Sequence, residues 1–423
     1  MQKVLVITYY WPPAGGPGVQ RWLKFVKYLR DFDIEPIVYI PENPNYPIQD
    51  ASLAIEIPDG IKIYSHPVKE PYGLAGLLSA RKTKRISSGL INEQKQSLLE
   101  KAMLWVRGNF FIPDARKNWV KPSVAYLSEI IHKEAIKTII TTGPPHSVHL
   151  IGYGLKQRHS LKWLADFRDP WTSIGYHKKL KLTKSSEKKH KQLEHLVLNE
   201  ADTIVVTSMI TQNEFSAITS KPISVITNGY DTTIGDGTQL DPKFTFSHIG
   251  SLLSGRNPSH LWSTLGQLVQ ENNDFKQAFE LHLTGVVSQD VLDNIYGHGL
   301  QPYTKLAPYI THNEAVLLQR RSQVLLLIEV NSEETKAIVP GKIFEYLAAK
   351  RPVLAIGPKG WSVSTIISET RAGKVFDYED RSELKKTILD WFLRYQRNDL
   401  QVTSQNIEKY SRRELTRKLA ELL

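Results

Sequence analysis

Short continuous apolar runs alternate along this chain with longer stretches whose apolar residues recur every three or four positions. KVLVI, near the start, is such a run. After it, Val19, Trp22, Leu23, Val26 and Leu29 share one face of a helix studded with Arg and Lys, in GGPGVQRWLKFVKYL. EPIVYI follows as the next strand. The rhythm continues through KTIIT, a helix from about His146, KWLADF, TIVVTS, a helix from about Met209, and ISVITNG. It breaks between Lys69 and Lys121, where GLAGLL and AMLWVRGNFFIP occur without an evident strand, so this stretch reads as an inserted helical excursion. DFD at 31–33 falls where a helix gives way to a strand and reads as a turn, not as an acidic metal motif.

Strands alternating with helices predict an α/β fold with parallel sheets. The alternation pauses over the Gly-, Asp- and Thr-rich residues 229–243. It restarts with FTFSHIGS, a helix from about Asn257, AFELHLTG, a helix from about His312, QVLLLIEV, a helix over GKIFEYLAA, and PVLAIG. Residues 229–243 are therefore expected to link two similar domains, 1–230 and 240–400, which suits a chain of 423 residues. The tail from about Gln401 reads as one or two basic helices.

Composition narrows the chemistry. With 41% hydrophobic and 23% charged residues the chain is of the soluble globular class. It has no cysteine, which excludes disulfides, thiolate nucleophiles and zinc–thiolate or iron–sulfur sites and fits a reducing compartment. No run approaches the ~20 apolar residues of a membrane span. MQKVLVITYYWPP suits a first strand better than a secretory leader, so the expected location is the cytoplasm. The net charge is +11, and between His66 and Lys121 eleven Lys or Arg face four Asp or Glu. A second basic cluster, HKKLKLTKSSEKKHK, runs from His177 to Lys191. Nucleic acid, an anionic membrane surface and a solvated face all suit such charge.

Two segments of the second half suit a nucleoside diphosphate. In VPGKIFEYLAAKRPVLAIGP, Pro340 and Gly341 precede a helix whose first N–H groups make an anion site; Lys342 adds a charge, and Glu345 is placed to accept from ribose hydroxyls. In HIGSLLSGRNPSHLW, a strand ends at Gly250 and Ser251, and Arg256 lies just before a helix, within bidentate reach of a diphosphate. In the first half, TTGPPHSVHLIG and KWLADFRDPWTS end strands in polar, aromatic loops. Ligands of parallel sheets sit beyond the carboxyl ends of strands, so His146, His149, Asp166, Arg168, Asp169 and Trp171 are expected to converge there with Gly15 and Gly16. His146 and His149 have metal-ligand spacing, but pocket or capping residues are the commoner reading. The Gly15–Gly16 loop lacks G-x-G-x-x-G spacing, and no acidic residue ends EPIVYI, so it is not a dinucleotide loop.

GGPGVQRWLKFVKYL, ADFRDPW, VITNGYD, HIGSLLSGRNP and PGKIFEYLAAKRPVLAIGP occur in that order, and together they resemble GT-B glycosyltransferases of family four, in particular the bacterial envelope-polysaccharide type. The resemblance implies two Rossmann-like domains facing a central cleft, a nucleotide-sugar on the second and an acceptor on the first, with retention of configuration and neither metal nor cofactor. It implies that Glu345 binds the ribose, that Gly250, Arg256, Gly341 and Lys342 meet the diphosphate, and that Gly16 approaches the sugar phosphate. Asp169, His146 and Arg256 become the catalytic candidates; Gly15, Arg168 and Trp171 stand on the acceptor side. The helix within 401–423 is expected to return to the first domain. The family's first motif Glu is absent, since Ala337 stands eight residues before Glu345, and Ser251 replaces a frequent Arg. The expected activity is sugar transfer to a lipid-linked or polysaccharide acceptor at an anionic membrane surface, with no nucleic-acid partner. A sugar-nucleotide epimerase of the same fold and a non-catalytic partner are the alternatives.

Overall fold

The computed structural model describes residues 1–70, 98–178, 180–231 and 238–423. It divides into two compact units: Met1–Asn228 together with Arg412–Leu423, and Gly229–Ser411. Residues 71–97, which hold GLAGLL and much of the basic excursion, and residues 232–237 of the expected linker lie outside the described residues.

The first unit holds a parallel sheet of β1 (Gln2–Thr8), β2 (Ile34–Pro41), β3 (Lys62–His66), β4 (Thr138–Gly143), β5 (Lys162–Phe167), β6 (Thr203–Val206) and β7 (Ile223–Val225), in the order β3-β2-β1-β4-β5-β6-β7. Val4 to Thr8 are all buried, because helices cover both faces of the sheet; hence the apolar runs are continuous and do not alternate. The strand order reverses at β1, where Leu5 pairs with Ile37 on one side and Ile139 on the other. β3, KIYSH, is an edge strand with largely exposed side chains, so it carries no apolar run for the sequence pattern to show.

Around this sheet lie α1 (Pro17–Leu29), α2 (Leu98–Phe110), α3 (Val120–Glu134), α4 (Ser147–Lys156), α5 (Lys184–Glu200) and α6 (Met209–Ser216). Proline opens α1, where its missing N–H costs nothing. The apolar stripe of α1 is buried, and so are Arg21 and Lys24. The helix Arg412–Ala420 packs on α1, burying Leu415 and Leu419. Arg412 Nη2 donates to Gln20 Oε1 at 3.0 Å, and Arg413 Nε to Asp31 Oδ2 at 2.9 Å. Asp31 lies within a 3-10 turn, Arg30–Phe32, as DFD suggested.

The buried Arg21 meets Asp166, whose exposure is 0%. Arg21 Nη2 donates to Asp166 Oδ1 at 2.9 Å, Trp22 Nε1 to Oδ2 at 2.7 Å, and Thr142 Oγ1 to Oδ2 at 2.9 Å; Arg21 Nη1 reaches the Thr227 carbonyl at 2.6 Å. Asp166 was expected at a pocket. It is instead a core residue, because its carboxylate is consumed by α1 and β4.

The second unit repeats the plan with β8 (Phe244–Ile249), β9 (Phe279–Thr284), β10 (Thr304–Ala307), β11 (Val324–Ile328), β12 (Val353–Ile356) and β13 (Gly373–Phe376), all parallel, in the order β10-β9-β8-β11-β12-β13. Its helices include α7 (Ser259–Glu271), α8 (Gln289–Gly297), α9 (His312–Arg321), α10 (Lys342–Ala349), α11 (Val363–Thr370) and α12 (Arg381–Gln396). Thr311 and Glu314 close a capping box that fixes the start of α9. Along β11, Leu325 and Leu327 join one apolar layer while Val324, Leu326 and Ile328 join the other. That alternation buries both faces.

Removing one partner of a buried ion pair strands the other charge, whereas replacing both with apolar groups of similar size is far cheaper. Asp166→Ala is therefore expected to destabilise the protein by about 3–5 kcal/mol, and the double variant Arg21→Met/Asp166→Leu by clearly less. Urea unfolding followed by tryptophan fluorescence compares them.

Candidate functional site

In the second unit the strand order reverses between β8 and β11, the position where open parallel sheets bind ligands. β8 ends at Ile249, and Gly250 turns the chain with φ +116°. Lys342, the first residue of α10, donates from Nζ to the Ile249 carbonyl at 2.9 Å. The positive φ favours glycine here, and a Cβ would also lie 3.0 Å from that nitrogen. Burial, helped by the charge of Arg256, lowers the Lys342 pKa to about 8, while Glu329 and Glu345 act in the opposite sense.

Arg256 is held from below. Its Nε and Nη2 donate to Glu329 Oε1 at 3.1 and 2.9 Å, and the Val330 N–H donates to the same oxygen at 2.8 Å. The Glu329 side chain is 2% exposed. Tyr378 OH donates to the Glu329 carbonyl at 2.8 Å. Glu345 is held likewise: Gln319 Nε2 donates to Oε2 at 2.9 Å, and His312 Nε2 lies 3.0 Å from Oε1. Gly341 stands at the N-cap of α10.

Gly250, Arg256, Gly341, Lys342 and Glu345 thus gather at one end of one sheet. Arg256 and Glu345 differ from expectation in that both are already engaged. Glu329, His312 and Gln319 were not read from the sequence. Glu329 had a signal: it is a lone acid at the end of the apolar run VLLLIEV, and a charge buried there needs a partner. His312 and Gln319 lie two turns apart on α9 and had none.

In the first unit the predicted residues divide into a surface group and an interior group. Gly16, with φ +110°, caps α1, and nothing crowds the place of its missing Cβ; conformation alone demands glycine. Gly15 is wedged against Ile48 and Asp50, and its N–H donates to the Ile48 carbonyl at 3.0 Å. Arg168 does not extend outward. Its guanidinium fills the space over Gly18, Nε donates to the Gly143 carbonyl at 3.2 Å, and Nη2 donates to Pro144. Asp169 remains half-buried, and burial raises its carboxyl pKa against the pull of Arg168.

His146 and Trp171 lie inside. The rings stack 4.6 Å apart at 4°, Trp171 is 1% exposed, and its Nε1 donates to His190 Nδ1 at 3.2 Å. Burial first, then neighbouring histidines, holds His146 neutral, well below the usual histidine range. His146 and Trp171 help line a cavity of about 110 Å³ with His177, His190, Phe111 and Pro113. His149 Nδ1 lies 2.9 Å from Thr141 Oγ1, its ring stacks on Phe167 at 4.3 Å, and burial lowers its pKa to about 3. Among the described residues no group of three or more His, Asp or Glu is arranged to hold a metal.

Beyond β1, Tyr9, Glu70 and Arg116 form a second buried cluster. Tyr9 OH donates to Glu70 Oε1 at 2.8 Å, Arg116 Nε lies 2.9 Å from the same oxygen, and the guanidinium sits 4.6 Å over the Tyr9 ring. Arg116 counted toward the basic excursion in the sequence; it is interior.

The sequence matches no protein-family model and no curated protein. Solved structures are similar over the full length. A glycosyltransferase from Rickettsia africae shares 14% identity at a TM-score of 0.59, covering 100% of this chain and 98% of that one. TarM from S. aureus, in a complex with fondaparinux, alpha-GlcNAc-glycerol and UDP, shares 14% at 0.58, covering 100% and 99%. A putative UDP-N-acetylglucosamine 2-epimerase from Listeria monocytogenes shares 12% at 0.53, covering 99% and 94%. The chain has the GT-B fold, as the sequence resemblance implied.

An unfolded lysine titrates near ~10.4, so between pH ~8 and ~10.4 the unfolded chain binds the proton that folded Lys342 has lost, and stability rises with pH in that window. The difference in melting temperature between the wild type and Lys342→Met is expected to grow from pH 8 to 10 in the wild type's favour. Glu329→Gln, which removes a charge that holds the lysine protonated, should lower the Lys342 pKa further; NMR of labelled lysine side chains reads it directly.

Proposed function

We propose that this protein is a glycosyltransferase that moves a sugar from a nucleotide diphosphate-sugar to a lipid-linked or polysaccharide acceptor, with retention and without a metal. The observation that carries this reading is the convergence of Lys342, Arg256 and the start of α10 at the switch point between β8 and β11. Departure of the nucleoside diphosphate builds negative charge on phosphate oxygens. Preorganised cations and backbone N–H groups aimed at such charge are usually the largest catalytic contribution. In this reading Arg256, Lys342 and Gly341 receive the diphosphate, Gly250 lets it approach the backbone, and Glu345 accepts from the ribose hydroxyls. Glu329 keeps the guanidinium of Arg256 at a fixed place, so little reorganisation accompanies the reaction.

Of the first unit's residues, Gly15 and Gly16 offer backbone to the substrates, and Asp169 orients the acceptor, whose proton goes to the leaving phosphate. His146, Trp171 and Arg168 act from behind, by holding the loops after β4 and β5. The lipid-linked acceptor places the protein on the cytoplasmic face of a membrane; among the described residues no helix is long and apolar enough to cross one.

The similarity to the putative Listeria epimerase supports a second reading, isomerisation of a sugar nucleotide without an acceptor. A thermal-shift screen against UDP-, GDP-, ADP- and dTDP-sugars is expected to raise the melting temperature with one donor class, since a ligand of the native state stabilises it. Incubation with that donor alone should leave it unchanged. A new sugar nucleotide would instead establish the epimerase, and binding without turnover on any acceptor would point to a non-catalytic partner. With donor and acceptor identified, Arg256→Ala should lower turnover by at least about tenfold, roughly 1.4 kcal/mol; a smaller effect rejects the assignment.

A further inference from the structure

The outward face of α2 is apolar. Leu104 and Gly108 are buried against the body of the first unit, whereas Ala102, Trp105, Val106 and Phe110 are exposed; Trp105 is 41%, Val106 42% and Phe110 60% accessible. Their spacing puts them on one stripe, and the rings of Trp105 and Phe110 touch with centroids 5.8 Å apart. Residues 101–110 contain no acid.

This stripe adjoins the second basic cluster. Asn109 Nδ2 donates to the Lys181 carbonyl at 3.3 Å, its Oδ1 accepts from the Thr183 N–H at 2.7 Å, and Gly108 packs against Leu180. Lys184 follows at the start of α5, and Lys184, Lys188 and Lys191 recur on one exposed face of that helix. Lys101, at the other end of the stripe, is exposed as well. Two segments some 75 residues apart in sequence therefore form one surface, an apolar ridge bordered by lysines.

We propose that this ridge docks the protein on an anionic bilayer, with Trp105, Val106 and Phe110 entering the headgroup boundary and Lys101, Lys181, Lys184 and Lys188 facing lipid phosphates. The proposal rests on the glycosyltransferase reading only in that a lipid-linked acceptor gives the contact a purpose. Aliphatic and aromatic side chains, with the Trp105 indole N–H as their one hydrogen-bonding group, suit a headgroup boundary. Lysines near such a boundary add attraction to anionic headgroups that falls off within a Debye length. Arg116, though counted with the basic excursion, is interior and takes no part in the contact.

The test is cosedimentation of the full chain with vesicles of phosphatidylcholine alone and with about one third phosphatidylglycerol. The protein is expected to bind the anionic vesicles and to leave them as salt rises from about 0.1 to about 0.5 M. Trp105→Ser/Phe110→Ser and, separately, Lys184→Glu/Lys188→Glu should each weaken binding by at least about tenfold. All these side chains are exposed, so the variants should melt with the wild type and bind the donor nucleotide as it does. Retained vesicle binding in either variant overturns the proposal. So does equal binding to neutral vesicles, oligonucleotide binding that the same variants abolish, or concentration-dependent self-association that Trp105→Ser/Phe110→Ser removes. Loss of vesicle binding with donor binding intact supports docking even where the transfer activity fails to appear.

Discussion

A parallel sheet buried on both faces has no solvent for its polar side chains, and a charge placed near its carboxyl edge must find a counter-charge or hydrogen-bond partners within the protein. In the first unit that condition is met by Arg21 and Asp166, which join α1, β4, β5 and the segment at Thr227 through one set of hydrogen bonds. The loop of Gly15 and Gly16 is placed by α1, and the loops carrying Arg168 and Asp169 are placed by β5. The pair therefore sets the spacing of everything at that end of the sheet. In the second unit Glu329 and Arg256 meet the same condition at the equivalent reversal of strand order. At the opposite, amino edge of that sheet Arg351 is buried without an acid and donates instead to the carbonyls of Ser322, Gln323 and Leu400. Its burial lowers the pKa to about 10.

The central strands were legible in the sequence because burial on both faces writes an unbroken apolar run, as in KVLVI and QVLLLIEV. Of the edge strands only β7 was legible, as ISVITNG; β3, β10 and β13 were not, since a strand with an open side has no need of such a run. The helix expected from about His312 starts there, fixed by the capping box of Thr311 and Glu314. The polar half of the site followed a different logic. Residue type and place in the strand–loop–helix pattern brought Gly250, Arg256, Gly341, Lys342 and Glu345 to one end of one sheet, but which of them are held by other side chains depends on partners remote in sequence. Glu329 is 73 residues from Arg256, and Gln319 is 26 from Glu345. Periodicity carries no information at that range.

Histidine and tryptophan misled for a related reason. Next to a proline-rich loop, His146 and Trp171 have the look of ligand-facing residues, yet their large flat rings also make good packing against each other when both lose their water. Charge misled in the opposite direction. Counting Arg and Lys along residues 66–121 treats them as equals, whereas Arg116 is neutralised in the interior and Lys101 stands in water. The useful quantity is where each charge is, not how many there are.

The first unit is interrupted: its strands and first helices come before residue 229, and the helix that completes it begins only at residue 412. Gln2 and Lys162 both reach the Leu423 carbonyl, across 421 and 261 residues of chain. During synthesis the second unit, contiguous in sequence, is therefore free to close while the first still waits for its final helix. Until that helix arrives, the side of α1 that covers Leu415 and Leu419 has no partner within the unit, and pairings this distant in sequence are slow to form. The nascent protein must pass through a stage with one unit finished and the other open along a greasy seam. That interval is when it is most exposed to aggregation and to capture by chaperones.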